Sequence, residues 1–332
     1  MKKKQQKSKK KKYAKIPSSI KTKAMHQKEM GPQDFPPKKM PSRFASERMN
    51  RLIAKLLNNK DFKDIKEANL FIQEQLMGKD PDEVRELMEY DPVEEAQELA
   101  YQALDTEDPY EALELCRKAL DIDPDCFDAS FLIIQLTARS LSELIKKTEK
   151  LLSDAEKKFG PEYFEENKGH FWGLVETRPY MRAKHAIINM LLDAEKIPDA
   201  IRHAEDMLAL NPNDNQGIRD TLLGMYLETG DLEKARKLID QYPAEYYAVF
   251  LWGKVLERCL SGDLKEAVNT FKKAHKRNPY VYDYLVGNKD IFLEDMDFYS
   301  PGEESEAIHC LMEIGGAWSK HPEAIGWLKS LK

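Results

Sequence analysis

Residues 176–183, Glu-Thr-Arg-Pro-Tyr-Met-Arg-Ala, open the apolar helical pattern that decides the fold of this 332-residue chain. The pattern turns at Pro198, continues as a second helix and stops in the segment 210–217, Leu-Asn-Pro-Asn-Asp-Asn-Gln-Gly. The two patterns predict an antiparallel helix pair closed by an Asn-Pro turn. One pair cannot bury its apolar face alone, so the weaker copies on both sides predict an all-α stacked array, a helical solenoid of about five pairs.

A recurring spacing of small and apolar residues marks the second helix of each copy. It occurs as Ala112, Cys116 and Ala119 before Pro124, as Ala200, Ala204 and Met207 before Pro212, as Ala235 and Ile239 before Pro243, and as Ala267, Phe271 and Ala274 before Pro279. Small residues at these positions allow two helices to approach closely. Gly230-Asp231-Leu232 and Gly262-Asp263-Leu264 are 32 residues apart and predict the turns between paired helices.

Together these features resemble tetratricopeptide (TPR) repeats, whose period is about 34 residues, although the aromatic residue of the first helix is mostly missing. Phe171-Trp172-Gly173, with segments 176–183 and 210–219, is similar to an uncharacterised bacterial and archaeal family of TPR proteins. Asn278-Pro279-x-Val281 with Tyr284-Leu285 resembles the C-terminal part of the "suppression of tumorigenicity 7" proteins. The resemblance covers roughly residues 50–330 and implies TPR-like stacking without catalytic residues. The cysteine-rich metal-binding motif of some relatives is missing from this sequence.

The N-terminal segment 1–42 differs sharply in charge from the rest of the chain. Its fourteen lysines against Glu29 and Asp34 give a charge of +12, so residues 43–332 carry −18 of the total of −6. Charge repulsion and several prolines predict a disordered tail. The tail is interpreted either as an arm that contacts RNA or the ribosome through counterion release, or as a solubilising tail or import signal. The nucleic-acid contacts predicted for the arm are Lys2, Lys3, Lys4, Lys9, Lys10, Lys11 and Lys12.

The remaining chain is predicted to consist of a cap, an array and a second cap. Residues 43–90 read as three short helices that form the N-terminal cap, and residues 91–290 contain the TPR-like repeats. An irregular insert is expected within 126–176, where the aromatic residues of 160–176 should fold back onto the array. Residues 291–332 contain a last helix pair, on which Trp318 and Trp327 are expected to seal the end.

Arg178 and Arg182 are the leading candidates for a binding site. They are four residues apart at a helix start, so they share one face, and the helix dipole there favours an anionic group. Arg219 is expected to face the same groove. In the alternative interpretation the two arginines form structural ion pairs, Arg178 with Glu176 and Arg182 with an acidic neighbour.

Other polar and aromatic side chains complete the predicted groove. The predicted partner-binding set is Trp172, Arg178, Tyr180, Arg182, Asn189, Asn215 and Arg219. An incomplete clamp for a carboxylate of the partner would use His185, Asn189 and Thr221. The polar segment 211–215 is equally typical of a turn that caps the next helix.

The sequence contains no pattern that supports catalysis or a metal site. The four cysteines are far apart and the seven histidines are dispersed, which predicts reduced buried thiols, no cofactor and no metal. No apolar run approaches the ~18 residues of a membrane span. We therefore expect a non-enzymatic cytoplasmic scaffold that binds a protein or peptide segment in a concave groove and does not enter a membrane. The alternative is an RNA- or ribosome-associated protein.

Overall fold

The computed structural model describes residues 44–58, 60–77, 91–243, 246–290 and 298–331. Over these ranges the chain forms fifteen α-helices, one short 3-10 helix and no strand, which confirms the predicted all-α helical-repeat class. The predicted disordered tail with its lysines, and the last of the three short helices predicted within residues 43–90, lie outside the described residues.

The chain divides into two compact units. The N-terminal unit comprises the described part of 31–190 with 209–211, and the described part of the C-terminal unit is 191–208 with 212–331. In chain order the first helices are α1 (Ala45–Asn58), α2 (Ile65–Leu76), α3 (Pro92–Asp105), α4 (Pro109–Ile122), α5 (Phe127–Thr137), α6 (Leu141–Glu166), the 3-10 helix (Val175–Thr177) and α7 (Arg178–Asp193). They are followed by α8 (Ile197–Leu210), α9 (Ile218–Thr229), α10 (Leu232–Gln241), α11 (Ala248–Leu260), α12 (Leu264–Arg277), α13 (Tyr280–Val286), α14 (Glu304–Lys320) and α15 (Pro322–Lys329).

The small residues of the recurring spacing form the contacts between paired helices. In the N-terminal unit, Cys116 and Ala119 of α4 are fully buried in one cluster with Ala96 and Ala100 of α3. In the C-terminal unit the corresponding residues of α10 and α12 are buried, and α9 packs on α10 and α11 on α12. Because these side chains are small, paired helices approach closely and bury their apolar faces, as the spacing predicts.

Two turns of the C-terminal unit follow the predicted Gly-Asp-Leu pattern. Gly230 and Gly262 have φ angles of +78° and +82°, a left-handed conformation that strains residues with a side chain. Each glycine is followed by an aspartate that caps the next helix: Asp231 accepts the amide of Lys234, and Asp263 accepts that of Glu266. The glycine ends one helix and the aspartate begins its partner.

The segment 160–176, predicted to be irregular, is partly helical. Helix α6 continues to Glu166 after an interruption at Gly160, which has φ 80° and ψ 156° and precedes a proline. Phe171 is fully buried and lies 4.9 Å from the ring of Phe164 and 6.3 Å from that of Tyr180 on α7. The crowded aromatic residues therefore pack onto the N-terminal unit, as expected, instead of forming a free loop.

Helix α14 packs against α9 and α11, the first helices of two consecutive pairs. A Cβ atom on Gly224 of α9 would lie only 2.2 Å from the carbonyl oxygen of Glu313, so the contact requires glycine. Trp318 is fully buried, edge-on to Trp252 of α11. Helix α14, which the sequence predicts to seal the end of the array, thus fills the face of the first helices in the C-terminal unit.

Candidate functional site

The basic residues of α1 form ion pairs with acidic residues on or just before α3. Arg48, Arg51 and Lys55 follow one another at spacings of three and four and therefore share one face of α1. Acidic residues on or just before α3 have the same kind of spacing and face them. The pairs are Arg48–Glu98 (2.9 Å), Arg51–Glu94 (2.8 Å), Lys55–Asp91 (3.6 Å) and Arg48–Asp105 (3.4 Å).

Glu47, at the start of α1, is negatively charged, unlike the three basic residues, and contacts the first turn of α7. Arg182 donates from Nη1 to both carboxylate oxygens of Glu47, at 2.7 and 2.9 Å. The hydroxyl of Tyr101 on α3 donates to the same carboxylate at 2.6 Å, and Arg178 Nη1 lies 4.0 Å from it. Glu47 is only 7% exposed, so these donors replace the water it would otherwise bind.

Arg182 connects Glu47 to a second buried carboxylate, Asp128 at the start of α5. Its Nε and Nη2 groups both donate to Asp128, which is 2% exposed and also accepts the side-chain amide of Gln97 at 2.8 Å. Burial alone would lower the pKa of Arg182, but its bonds to Asp128 and Glu47 outweigh burial and raise that pKa above its ordinary value. Arg182 therefore stays charged and holds the two carboxylates together.

Tyr101 serves as a neutral donor in this network. Burial raises the pKa of its hydroxyl, and the nearby Glu47 charge acts in the same direction. The Nε of Arg51 donates to the tyrosine oxygen at 3.1 Å, so the hydroxyl accepts one bond while it donates another. Helices α3 and α7 thus direct paired polar groups at one face of α1, and Asp128 of α5 holds Arg182 in place behind them.

We call these groups the α1-binding face, defined as Glu94, Glu98, Tyr101, Asp128, Arg178 and Arg182. Most of its ion pairs are only partly exposed. The acidic residue of α1 meets the arginines of α7 and its basic residues meet the carboxylates of α3, so one register of α1 satisfies all of them. The arrangement is suited to holding a helix that carries charges of both signs.

Four of the predicted partner-binding residues lie around the start of α7 in the N-terminal unit. The Nε of Arg178 donates to the carbonyl oxygen of Trp172 at 3.0 Å, and its guanidinium lies 5.4 Å from the Trp172 ring. Arg178 and Arg182 share Glu47, whereas the alternative interpretation had paired Arg178 with Glu176. Tyr180 is 1% exposed, belongs to the aromatic cluster and donates to Glu156 at 2.7 Å.

The structure places Asn189 and His185 on α7 of the N-terminal unit, both half-buried. Asn215 is exposed in the C-terminal unit, and Thr221 of the same unit donates to Glu313 of α14 at 2.9 Å. The Thr221 hydroxyl, which the predicted carboxylate clamp would use, therefore already donates to a carboxylate of the chain itself.

Arg219 also belongs to the C-terminal unit. Its guanidinium lies 4.9 Å from the ring of Tyr242, and its Nε lies 3.7 Å from Asp214. Asp214 is buried at φ 50° and accepts the amides of Ile218 and Arg219. Burial raises the pKa of this carboxyl despite those bonds. The polar turn thus caps α9, in agreement with its structural interpretation.

Sequence reasoning missed Glu47, Asp128 and the acidic face of α3. The signal was present in the spacing of the acidic residues at 91, 94, 98 and 105, and in the matching basic residues of α1. Each set alone is typical of a solvated helix face, so only the pairing of the two distinguishes this site.

The cysteines of the described chain are free, and Cys116, Cys126 and Cys310 are buried. Burial raises the pKa of Cys116 to about 12 and that of Cys126 to about 11, so both thiols stay protonated and unreactive near neutral pH. The described residues include no group of three or more His, Cys, Asp or Glu side chains that could hold a metal ion. In the same part of the chain, no helix is both long enough and apolar enough to cross a membrane.

Comparison with protein-family models finds a repeat in the middle of the chain. Residues 191–250 match the family model of the tetratricopeptide repeat, over a segment that includes α8, α9 and α10 with the turns between them. No curated protein matches the chain. The match agrees with the buried small residues and with the Gly-Asp turn at residues 230–231, so the chain contains TPR-type sequence in this segment. Repeats of this type generally bind protein partners.

Proposed function

We propose that this protein is a non-enzymatic cytoplasmic scaffold that holds a segment of another protein against the first helices of its repeats. One observation carries the proposal: α3 and α7 direct side chains of both charges at a single helix, α1, and hold it by ion pairs. A surface that already holds a helix has the placed polar groups that recognition of a partner segment requires.

The predicted partner-binding residues have distinct roles in this proposal. Arg178 and Arg182 bind a carboxylate of the partner, and Trp172 offers a half-buried ring beside Arg178. Asn189 supplies a further polar group on α7. Because the arginines are fixed by Trp172 and Asp128, little side-chain freedom is lost on binding. In the C-terminal unit, Asn215 and Arg219 are the corresponding candidates.

Affinity capture with the full chain tests this proposal. We expect one protein partner to be retained both by the intact chain and by a chain that lacks residues 1–42. Arg178→Ala should abolish retention, whereas Arg117→Ala should not, because Arg117 is an exposed arginine of α4 whose partner is Glu114. Retention by a folded Arg178→Ala chain at the intact level would contradict the proposal.

The alternative function is binding of RNA or the ribosome through the lysine-rich tail. It is favoured by the charge difference between residues 1–42 and the rest of the chain. Here the affinity depends on counterion release and should fall steeply with ionic strength. The expected result is RNA or ribosomes retained only by the intact chain and released by nuclease or moderate salt. Retention that survives deletion of residues 1–42 would refute this alternative.

A further inference from the structure

Helix α1 is attached by the ion pairs of its charged residues and by an apolar stripe of limited burial. Among residues 45–57, only Glu47 and Leu52 are buried, while the residues of its apolar stripe such as Ile53 and Leu56 are half-buried. Phe44, just before the helix, stacks on Tyr101 with ring centroids 4.9 Å apart. The ion pairs to α3 and α7 therefore fix the register of α1 on its neighbours.

Helix α14 also packs on the first helices of helix pairs, but mainly through buried apolar side chains. Nine of the seventeen residues of α14 are buried, and they include Trp318, which is fully buried. Removal of α14 would expose a large apolar surface, at about 1.5–3 kcal/mol for each large side chain. By comparison, α1 gives up few buried apolar side chains. Helix α14 is thus part of the core, whereas α1 has the character of a docked ligand.

The α1-binding face retains much of its own bonding when α1 leaves. Arg182 keeps its two bonds to Asp128, and Asp128 keeps the amide of Gln97. Arg178 keeps the carbonyl oxygen of Trp172. The carboxylates of α3 lie near the surface, where water can solvate them. What the vacant face lacks is one carboxylate for the two arginines and cations for α3.

These needs specify the chemistry of an occupant. Residues 47–55 of α1 read Glu-Arg-Met-Asn-Arg-Leu-Ile-Ala-Lys, with the acidic residue first and basic residues one, four and eight positions later. The leucine five positions after the glutamate is the buried apolar anchor. An amphipathic helix with this order of charges satisfies the same groups as α1 does.

We propose that the α1-binding face is a docking site for a partner helix of this pattern and that α1 is its displaceable internal occupant. The inference rests on the proposed function and names the chemical class of the partner. Exchange of one helix for the other conserves the ion pairs, so the partner competes with α1 on equal chemical terms. The apparent affinity for the partner is reduced by the fraction of chains in which α1 occupies the face.

The first test uses a fluorescent peptide of residues 44–58 as the probe and the full chain as the receptor. The double variant Arg48→Glu, Arg51→Glu places like charges opposite Glu98 and Glu94 and should release α1 without altering the face. We expect the peptide to bind this variant about tenfold more tightly than the wild-type chain, because α1 no longer competes. Fluorescence anisotropy measures the affinity, and circular dichroism verifies that the variant is folded.

A charge exchange tests the specificity of the same site. The full chain with Glu94→Arg and Glu98→Arg should bind the peptide that carries Arg48→Glu and Arg51→Glu, and should lose the wild-type peptide. A matched control reverses Glu114 to Arg on the exposed surface of α4 and should change neither affinity. Equal binding of both peptides by both receptors would overturn the proposal, as would failure of the folded α1 variant to bind the wild-type peptide.

Hydrogen exchange on the wild-type chain requires no variant to fold. Added peptide should accelerate exchange of the α1 amides, and added salt should do so to a smaller extent, because the pairs to α3 are partly exposed and therefore partly screened. The amides of α4 should not respond. Exchange in α1 that stays as slow as in α4 under all conditions would overturn the proposal. Concentration-dependent dimers abolished by Arg48→Glu, Arg51→Glu would also overturn it, since the occupant would then be α1 of a second copy.

The outcomes separate the inference from the proposed function. If the peptide does not bind while a protein partner is still captured in an Arg178-dependent manner, the assignment of a competing helix fails and the scaffold function stands. If the peptide binds as expected but no protein is captured, the face has the inferred chemistry and the scaffold function fails.

Discussion

Replacement of Arg182 by methionine is expected to destabilise the N-terminal unit strongly. Methionine preserves much of the length and volume of the side chain but none of its five donors. It would leave buried Asp128 without a cation and buried Glu47 with only the more distant Arg178, at 4.0 Å. Tyr101 and Gln97 would each still donate one hydrogen bond to them, which compensates only part of the loss.

The magnitude follows from the burial of the three groups. Loss of one partner from a buried ion pair costs about 3–5 kcal/mol, because a charge remains in a poorly solvated place. The side chain of Arg182 is 21% exposed, so the lower end of that range, about 3 kcal/mol, is the appropriate value. For a unit of this size, such a loss lowers the Tm by roughly 6–12 °C. By contrast, Arg117→Met breaks an exposed pair and should lower the Tm by no more than about 2 °C.

Differential scanning calorimetry measures the change, and hydrogen exchange assigns it to the N-terminal unit. Arg182→Lys should show an intermediate loss, since a lysine keeps the charge but cannot donate to both carboxylates in forked geometry. Adding Glu47→Gln and Asp128→Asn to Arg182→Met should restore part of the stability, because the unpaired charges are then removed. A loss below about 1 kcal/mol for Arg182→Met would refute the reasoning, since it would mean that water solvates the network.

Two further predictions concern the contact of α14 with α9. Gly224→Ala should reduce the free energy of unfolding by about 1–3 kcal/mol, because its Cβ would clash with the backbone of Glu313. In the control variant Gly326→Ala the new Cβ meets no atom within 4 Å, so this variant should be neutral or stabilising. Thermal unfolding measures both. The pKa of His309 is raised, because Asp220 and Glu313 outweigh the lowering effect of burial. The stabilising contribution of the His309 charge is therefore complete below about pH 6.5 and is lost as the pH rises through the raised pKa of the folded state. His309→Gln should flatten this part of the dependence of Tm on pH between about pH 5.5 and about pH 8.5, and an unchanged slope would argue against the assignment.

The helix pairs could be predicted because their signals are local. A glycine in the left-handed conformation followed by an aspartate cap encodes its turn within a few residues, as at Gly230 and Asp231. The buried positions of α4 and α12 follow from the spacing of small residues along one helix. The same locality explains the success of the capping interpretation for Asp214, whose two bonds are to amides four and five residues ahead.

The candidate site could not be predicted because its contacts are distant in the sequence. Glu47 and Arg182 are 135 residues apart, and Asp128 lies 54 residues before its arginine. An exposed arginine and a paired one have the same local pattern, so the helical spacing of Arg178 and Arg182 predicts a shared face but not the identity of its carboxylate. In the structure the carboxylates bound by these arginines are Glu47 and Asp128 of the chain itself.

The two units offer a partner very different access to their first helices. In the C-terminal unit a partner on α9 would have to replace α14, whose large buried apolar side chains each contribute about 1.5–3 kcal/mol. These side chains are Ile308, Leu311, Ile314 and Trp318. In the N-terminal unit a partner on α3 and α7 would replace the pairs to α3, worth about 0–1 kcal/mol each at the surface, and the more strongly buried Arg182–Glu47 pair, with an equivalent set formed in exchange. A helix of ordinary affinity, about −8 kcal/mol for a micromolar complex, could compete with α1 but not with α14. The N-terminal unit is therefore where partner binding by first helices is physically attainable, and the charges of α1 are the first to alter.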